Sequence, residues 1–190
     1  MLLDLRRGLV ALLALTVLVG IAYPALVFGI GQAAFRGAAN GSLVHSGGRT
    51  VGSALIGQSF DDPKYFWGRP SAAGDGYDPR ASGASNLGPT SAKLDQEVRE
   101  RLAALLKSNP GTTAAQVPSE LVTASASGLD PDISPAAADF QVNRVARARG
   151  LDPAAVARLV EQHTQGRTLG IFGEPRVNVL ELNLALDRLR

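Results

Sequence analysis

The sequence of 190 residues contains no cysteine, only two histidines, one tryptophan and one methionine. Without cysteine the chain cannot form a disulfide, a zinc finger, a thiol redox pair or a cysteine nucleophile. The two histidines, His45 and His163, lie far apart and without clustered carboxylates, a pattern that does not favour a metal site. We therefore predict no metal ligand, and expect a folded domain stabilised by its core and hydrogen bonds.

The motifs that mark several enzyme classes are also absent. The sequence has no G-x-x-x-x-G-K-[ST], no G-x-G-x-x-G and no G-x-S-x-G, so it lacks the usual phosphate loops and the serine nucleophile elbow. Residues 37–190 carry sixteen basic and sixteen acidic side chains, a balance that argues against nucleic acid as the main partner. We predict no catalytic residue.

Charge is missing altogether from Gly8 to Phe35, a run of 28 residues between Arg7 and Arg36. A bilayer core about 30 Å thick needs roughly 20 apolar residues in a helix. The run therefore predicts a single transmembrane helix over residues 8–35. Two alternatives stay open: a cleaved secretory signal, whose apolar region is shorter, and a buried core helix, which usually carries a polar face.

Two features inside the run bear on its structure and packing. Pro24 leaves a backbone carbonyl without its helical donor, so we expect a kink there, relieved by a neighbour or a local 3₁₀ adjustment. Ala25, Gly29 and Ala33 lie four residues apart on one helix face. A stripe of small residues permits close helix packing, although apolar helices also contain such stripes by chance. We predict these three residues as a partner contact in the membrane.

The flanks of the run predict its orientation. The short N-terminal tail carries Arg6 and Arg7, and a positive short flank stays cytoplasmic, whereas a long domain can be translocated regardless of its charge. We therefore predict a cytoplasmic tail over residues 1–7, a linker over 36–50 and one α+β extracytoplasmic domain over 51–190.

Periodicity and capping residues predict the elements of this domain. Val51–Phe60 reads as a strand, residues 61–89 as a long irregular segment holding most of the aromatics, and Thr168–Phe172 as another strand. Helices are expected at 90–107 with Thr90 as its cap, at 134–149, from Asp152-Pro153, and from Asn178, where a strand is the competing interpretation. The basic residues Arg144, Arg147 and Arg149 are expected on a solvated helix face.

The stretch TASASGLDPDISP, residues 123–135, is the part of the domain that looks most like a chemical site. Asp130 and Asp132 stand two residues apart among four hydroxyl side chains, and paired carboxylates can bind a cation or act as acid and base. Asp-Pro, Ser-Pro and glycine are equally typical of turns and caps. Structural, partner-contact and ion- or nucleotide-binding roles remain open, as does a membrane-tethered enzyme that uses Asp130 and Asp132.

Several long strings give the chain a specific resemblance over almost its whole length. They are GSALIGQSF at 52–60, KYFWGRPSA at 64–72, YDPRASGASNLGPTS at 77–91, LVTASASGLDPDISPAAADFQVNRVARARG at 121–150 and RTLGIFGEPRVNVLELNLALD at 167–187. In this combination, behind one N-terminal span, the chain resembles the C subunit of the potassium-transporting Kdp P-type ATPase, the KdpC family.

The resemblance implies a non-catalytic subunit of an inner-membrane complex in bacteria. Its expected partners are a channel-like potassium-selecting subunit, a P-type ATP-hydrolysing subunit and a small single-span subunit. It implies a role in assembly and stability, and a chaperone effect that raises the ATP affinity of the hydrolysing subunit. ATP and potassium are then handled by the partners, with no cofactor bound directly here.

The family is also credited with nucleotide contact through a Gly/Ser-rich motif, for which the nearest candidates are Ser82, Gly83, Ser85 and Asn86. An outward domain faces away from cytoplasmic ATP, so we expect any effect on ATP affinity to be transmitted as coupling between sites. The predicted partner contacts of the outer domain are Tyr65, Phe66, Arg69, Ser85, Asn86, Thr123, Ser127, Asp130 and Asp132.

Overall fold

The computed structural model of the chain describes residues 1–189. Residue 190, the last of the predicted domain 51–190, lies outside them. The chain divides into two compact units, residues 1–43 and the residues from 44 onward.

The first unit is dominated by one long apolar helix. It consists of α1 (Leu2–Val17), a π-helical turn (Leu18–Ala22) and α2 (Tyr23–Ala34), and is followed by the short α3 (Arg36–Ala39). The 33 residues from Leu2 to Ala34 are long and apolar enough to cross a membrane, and none of the apolar window is buried within the chain. The prediction of one apolar N-terminal helix is confirmed, and the interpretation as a buried core helix is wrong.

The irregularity in this helix is a π turn rather than the expected 3₁₀ adjustment. Pro24 lies in the first turn of α2, directly after the π turn. Proline lacks the N–H that would bond to Gly20, and its ring crowds that carbonyl. A π turn widens the helix at this point and gives the proline ring room.

The second unit is α+β, as predicted. It contains β1 (Leu43–Ser46), β2 (Arg49–Ser53), α4 (Ala92–Ser108), β3 (Asp132–Ile133), α5 (Pro135–Arg149), α6 (Pro153–His163), β4 (Thr164–Gln165), β5 (Arg176–Asn178) and α7 (Val179–Leu186), with 3₁₀ turns at Ala114–Gln116 and Ser119–Leu121. β1 and β2 pair with each other, while β3, β5 and β4 form an antiparallel sheet in that order. β5 contacts α5, α6 and α7, and the core lies between these helices and the sheet.

Capping residues place the helix starts as the sequence predicts, with one shift. The side chains of Ser134, Asp152 and Asn178 each accept a hydrogen bond from a first-turn backbone N–H. The strand interpretation after Asn178 is therefore wrong. α4 is capped by Ser91 rather than Thr90, since Ser91 accepts from the N–H of Leu94.

One strand prediction is confirmed only in part, a second is wrong, and the predicted irregular segment is confirmed. β2 covers only the first residues of the predicted strand Val51–Phe60, because a turn follows at Ser53–Ile56. Thr168–Phe172 is a tight turn closed by an isolated bridge between its ends, and the true strands flank it. Residues 61–89 contain no helix or strand, as predicted.

Part of the predicted linker, residues 36–50, is also structured. It holds α3, β1 and the turn of the first hairpin. Gly47 and Gly48 have φ of 57° and 77°, values that suit the two-residue hairpin turns in which glycine carries no steric penalty.

Candidate functional site

Residues 65–88, within the irregular segment 61–89, and residues 123–134, within the stretch 123–135, lie against each other. The N–H of Gly83 and the hydroxyl of Ser82 both donate to the carbonyl oxygen of Ser127, each at 2.9 Å. The Ser71 hydroxyl donates to the carbonyl of Gly128 at 2.5 Å. Backbone polar groups that no sheet or helix pairs are thus satisfied across the junction. We call the surface formed by these two segments the loop surface.

Gly128 is a point of close backbone approach between the two segments. Its φ is +66°, and a Cβ added there would lie 2.7 Å from both the backbone nitrogen of Ala73 and the carbonyl oxygen of Gly83. Only glycine permits this packing, because a side chain would meet backbone on the facing segment.

An ion pair and a tyrosine reinforce the junction at its centre. Arg69 Nη1 lies 3.2 Å from Asp130 Oδ2, and both side chains are about one-quarter to one-third exposed. The Tyr77 hydroxyl donates to the carbonyl of Arg69 at 2.5 Å. Burial, and secondly the charge of Asp130, raise the pKa of Tyr77 to about 12, so its phenol stays protonated as a donor.

Asp132 belongs to a second ion pair, on the edge strand β3. Its carboxylate lies 3.1 Å from Arg176 Nε and accepts from Asn178 Nδ2 at 3.2 Å, both on β5. Burial raises the pKa of Asp132 in spite of Arg176 and Asn178. Asp130 and Asp132 therefore face separate arginine partners, although both line one groove of about 320 Å³.

A groove beside Asp132 and a cavity beside Tyr77 are concave features of this surface. The groove is lined by Glu120, Asp130, Asp132, Ile133, Ser134, Glu174, Pro175 and Arg176. The cavity, of about 370 Å³, is lined chiefly by Ser59, Phe60, Asp61, Trp67, Arg69, Tyr77, Arg101 and Leu105. Among residues 1–189 no group of three or more histidine, cysteine or acidic side chains is arranged to hold a metal ion.

The aromatic part of the loop surface is fastened to the helices by buried polar side chains. The N–H of Phe66 donates to Asn183 Oδ1 at 2.8 Å, and Asn183 Nδ2 donates back to the carbonyl of Phe66 at 2.9 Å. Gln141 makes the same two-way exchange with the backbone of Trp67. Phe66 itself is fully buried. Its prediction as a partner contact is wrong, because its side chain belongs to the core.

The prediction for Arg144 differs most from the structure. This residue was expected on a solvated face, yet it is 2% exposed. Its guanidinium donates to the carbonyls of Pro63 and Tyr65 and to Gln141 Oε1, and stacks 3.8 Å from the ring centroid of Trp67. Burial lowers the pKa of Arg144 to about 10. Gln141 and Arg144 are spaced along the apolar stripe of α5, and this spacing could have predicted that Arg144 is buried.

The predicted nucleotide residues do not form an open phosphate cradle. The N–H of Gly83 and the hydroxyl of Ser82 are already bonded to Ser127. Ser85 and Asn86 are exposed, and Asn86 has a φ of 52°, a left-handed conformation that asparagine tolerates. Phosphate loops bind phosphate through free backbone N–H groups. Here the N–H of Gly83, at the centre of the segment, already donates to Ser127.

The remaining predicted contacts lie at the surface. Ser127 is exposed, whereas Tyr65 and Thr123 are half-buried. The Tyr65 hydroxyl donates to Asp187 at 3.2 Å and the Thr123 hydroxyl to the carbonyl of Ser119 at 2.9 Å. Ala25, Gly29 and Ala33 are all exposed on α2.

Fold and surface together define a class: a protein with one apolar helix and an α+β domain whose irregular loops are locked into a single surface. The family described as "K+-transporting ATPase, c chain", KdpC, matches residues 5–188. A potassium-transporting ATPase KdpC subunit of Sorangium cellulosum is 60% identical over 191 residues, covering 100% of both chains. The protein of the same name from Burkholderia mallei is 59% identical over 184 residues, covering 96% of this chain and 94% of its own. That of Herpetosiphon aurantiacus is 55% identical over 186 residues, covering 97% and 96%. The chain therefore belongs to the KdpC family.

Proposed function

We propose that this chain is the non-catalytic accessory subunit of a high-affinity, ATP-driven potassium uptake complex. The observation that carries the proposal is the family match from residue 5 to residue 188, which includes both the apolar helix and the α+β domain. The partners are a channel-like potassium-selecting subunit, a P-type ATP-hydrolysing subunit and a small single-span subunit.

The geometry of the loop surface supports an assembly role over chemistry. Asp130 and Asp132 are each held by an arginine, and the hydroxyls of Ser71 and Ser82 donate to backbone carbonyls. Groups used in this way stabilise a fixed shape. A shape held by internal hydrogen bonds loses little conformational entropy when a partner binds it. The exposed groups of this surface, among them Ser85, Asn86 and Ser127, are the proposed contacts, with the half-buried Tyr65, Arg69, Thr123, Asp130 and Asp132 at their margin.

The apolar helix supports a second contact, within the bilayer. Within residues 1–189, none of its apolar window is buried. No atom lies within 4 Å of a Cβ built on Gly29, so Ala25, Gly29 and Ala33 leave a shallow face for a neighbouring helix. We propose that this helix lies in the bacterial inner membrane, with the α+β domain on the extracytoplasmic side. ATP and potassium are handled by the partners, and an effect on ATP affinity reaches the hydrolysing subunit as coupling through the membrane.

The accessory role is tested by deleting the chain from cells that express the complex. We expect the partner subunits to separate in detergent and potassium uptake to fall, because the outer and membrane contacts are both lost. Partners that remain associated and transport normally without this chain would overturn the proposal.

The contact surface is tested by the double variant Ser85→Ala with Asn86→Gly, in which glycine keeps the left-handed conformation of position 86. The recovery of the partners with a tagged chain should fall, while Asn143→Ala, an exposed asparagine on α5, should leave it unchanged. Equal recovery for both variants would exclude residues 85 and 86 from the interface.

A further inference from the structure

The connection between β4 and β5 exposes three large apolar side chains at one place. Leu169 is 85% exposed, Ile171 68% and Phe172 61%. We call residues 167–174 the apex loop. Three such side chains on one short loop form an exposed apolar patch, and patches of this kind mark a contact with another molecule.

The apex loop is rigid, because its backbone groups are bonded within it. Thr168 and Phe172 exchange N–H to carbonyl bonds at 2.8 and 2.9 Å, and the N–H of Gly170 donates to the carbonyl of Arg167 at 3.0 Å. At the base of the loop Arg167 Nη2 contacts both carboxylate oxygens of Glu174, at 2.8 and 2.7 Å. The three apolar side chains are therefore presented in a fixed arrangement.

The fold of the domain does not by itself explain why a leucine occupies position 169. Leu169 and Gly170 have φ of 54° and 78°, the pattern of a type I′ turn, whose first central position favours asparagine, aspartate or glycine. A leucine there is strained and almost fully in water. Strained residues of this kind cluster at binding sites.

We propose that the apex loop is an anchor that inserts Leu169, Ile171 and Phe172 into an apolar recess on the extracytoplasmic face of a membrane-embedded partner subunit. The proposal rests on the proposed function, since it names the contact that this domain makes within the complex. A few rigid apolar side chains that fill a recess commonly supply most of the binding energy of an interface.

The charges around the loop favour a protein recess over the lipid surface. Loops and helices that bind membranes combine apolar residues with an excess of lysine or arginine, which attracts anionic lipids. In the apex loop the single cation, Arg167, is neutralised by Glu174. The adjoining groove is lined by Glu120, Asp130, Asp132 and Glu174, and all of these except Glu120 are paired with an arginine. The loop and the groove therefore carry no excess of cations that would attract an anionic bilayer, and the uncompensated apolar side chains suit an apolar recess in a protein.

The first test uses the double variant Leu169→Asn with Phe172→Ser in the full complex. Asparagine suits the left-handed position, so the unfolding midpoint of the variant chain should equal or exceed that of the parent. Recovery of the partners with the tagged chain should fall about tenfold. The matched control is Leu55→Ser, which removes a leucine 63% exposed outside the loop and should leave recovery unchanged. Recovery at the parent level for the loop variant would overturn the proposal.

The second test separates a protein partner from lipid. Because the chain has no cysteine, Leu169→Cys can carry a single environment-sensitive fluorophore. We expect a blue-shifted emission in the assembled complex and a water-like emission for the chain alone in vesicles containing anionic lipid. A blue shift in the vesicles without partners would assign the loop to the bilayer, and a water-like emission in the complex would leave it uncovered; either result overturns the proposal.

These outcomes are distinguishable from a failure of the proposed function. If deletion of the whole chain leaves the complex intact, the accessory role fails. If deletion dissociates the complex but the loop variant assembles normally, the accessory role stands and the anchor assignment fails.

Discussion

Arg144 is the residue whose position depends most on long-range packing. Its guanidinium is buried without a carboxylate partner and is stabilised by two backbone carbonyls, by Gln141 and by the face of Trp67. Burial of a charge is costly unless its hydrogen bonds are satisfied. Together with Gln141, this side chain attaches the aromatic segment of the loop surface to α5.

We predict that Arg144→Ala destabilises the domain by about 3 kcal/mol, because it leaves buried carbonyls unsatisfied and a gap beneath Trp67. Trp67 is the only tryptophan, so its fluorescence during urea unfolding measures the effect directly. Arg147→Ala, which changes an exposed arginine of the same helix, should shift stability by less than about 0.5 kcal/mol. Equal stabilities for the two variants would contradict the anchoring role of Arg144.

At the scale of elements, the loop surface is held by the meeting of two segments that contain almost no regular structure. Their backbones touch at Gly128, where the built Cβ would approach Ala73 and Gly83 to 2.7 Å. Separation of the segments would expose the carbonyls of Ser127 and Gly128, which are now bonded across the junction.

We predict that Gly128→Ala costs about 1–2 kcal/mol for its left-handed backbone and a further 1–3 kcal/mol for the clash. Gly150→Ala provides a matched control, since Gly150 has the same φ of +66° but no atom within 4 Å of its built Cβ. Comparison of the two unfolding free energies isolates the clash. If the two variants lose the same stability, the segments are not in backbone contact at Gly128.

At the scale of the whole molecule, the chain combines a domain that has its own core with an apolar helix whose apolar window is not buried by any of the described residues. Such a helix requires lipid or other membrane helices around it. The short N-terminal flank carries Arg6 and Arg7, from which we predict that the N-terminus lies in the cytoplasm and the domain outside.

Single cysteines at exposed alanines of the domain, Ala115→Cys and Ala126→Cys, test this predicted orientation. Both should react with an impermeant maleimide in intact cells, whereas Leu2→Cys, at the other end of the helix, should react only after lysis. The parent chain, which lacks cysteine, reports the background. Protection of both domain cysteines until lysis would place the domain in the cytoplasm.

The elements predicted correctly are those whose signals are local. Ser134-Pro135, Asp152-Pro153 and Asn178 start helices because each side chain reaches an N–H within three residues. The strands β3 and β5 were missed because they have only two and three residues. Strand pairs such as Asp132 with Asn178 join distant parts of the chain, and a single sequence carries little information about such pairing.

The sequence by itself determined the apolar helix, the α+β class of the domain and the irregular character of residues 61–89, since length, polarity and capping act over a few neighbouring residues. Only the tertiary structure decided that Phe66 and Arg144 are buried, that Ser82 and Gly83 bond to Ser127, and that Leu169, Ile171 and Phe172 remain in water. These outcomes depend on which distant segments meet, and burial follows from that meeting rather than from the polarity of the residue itself.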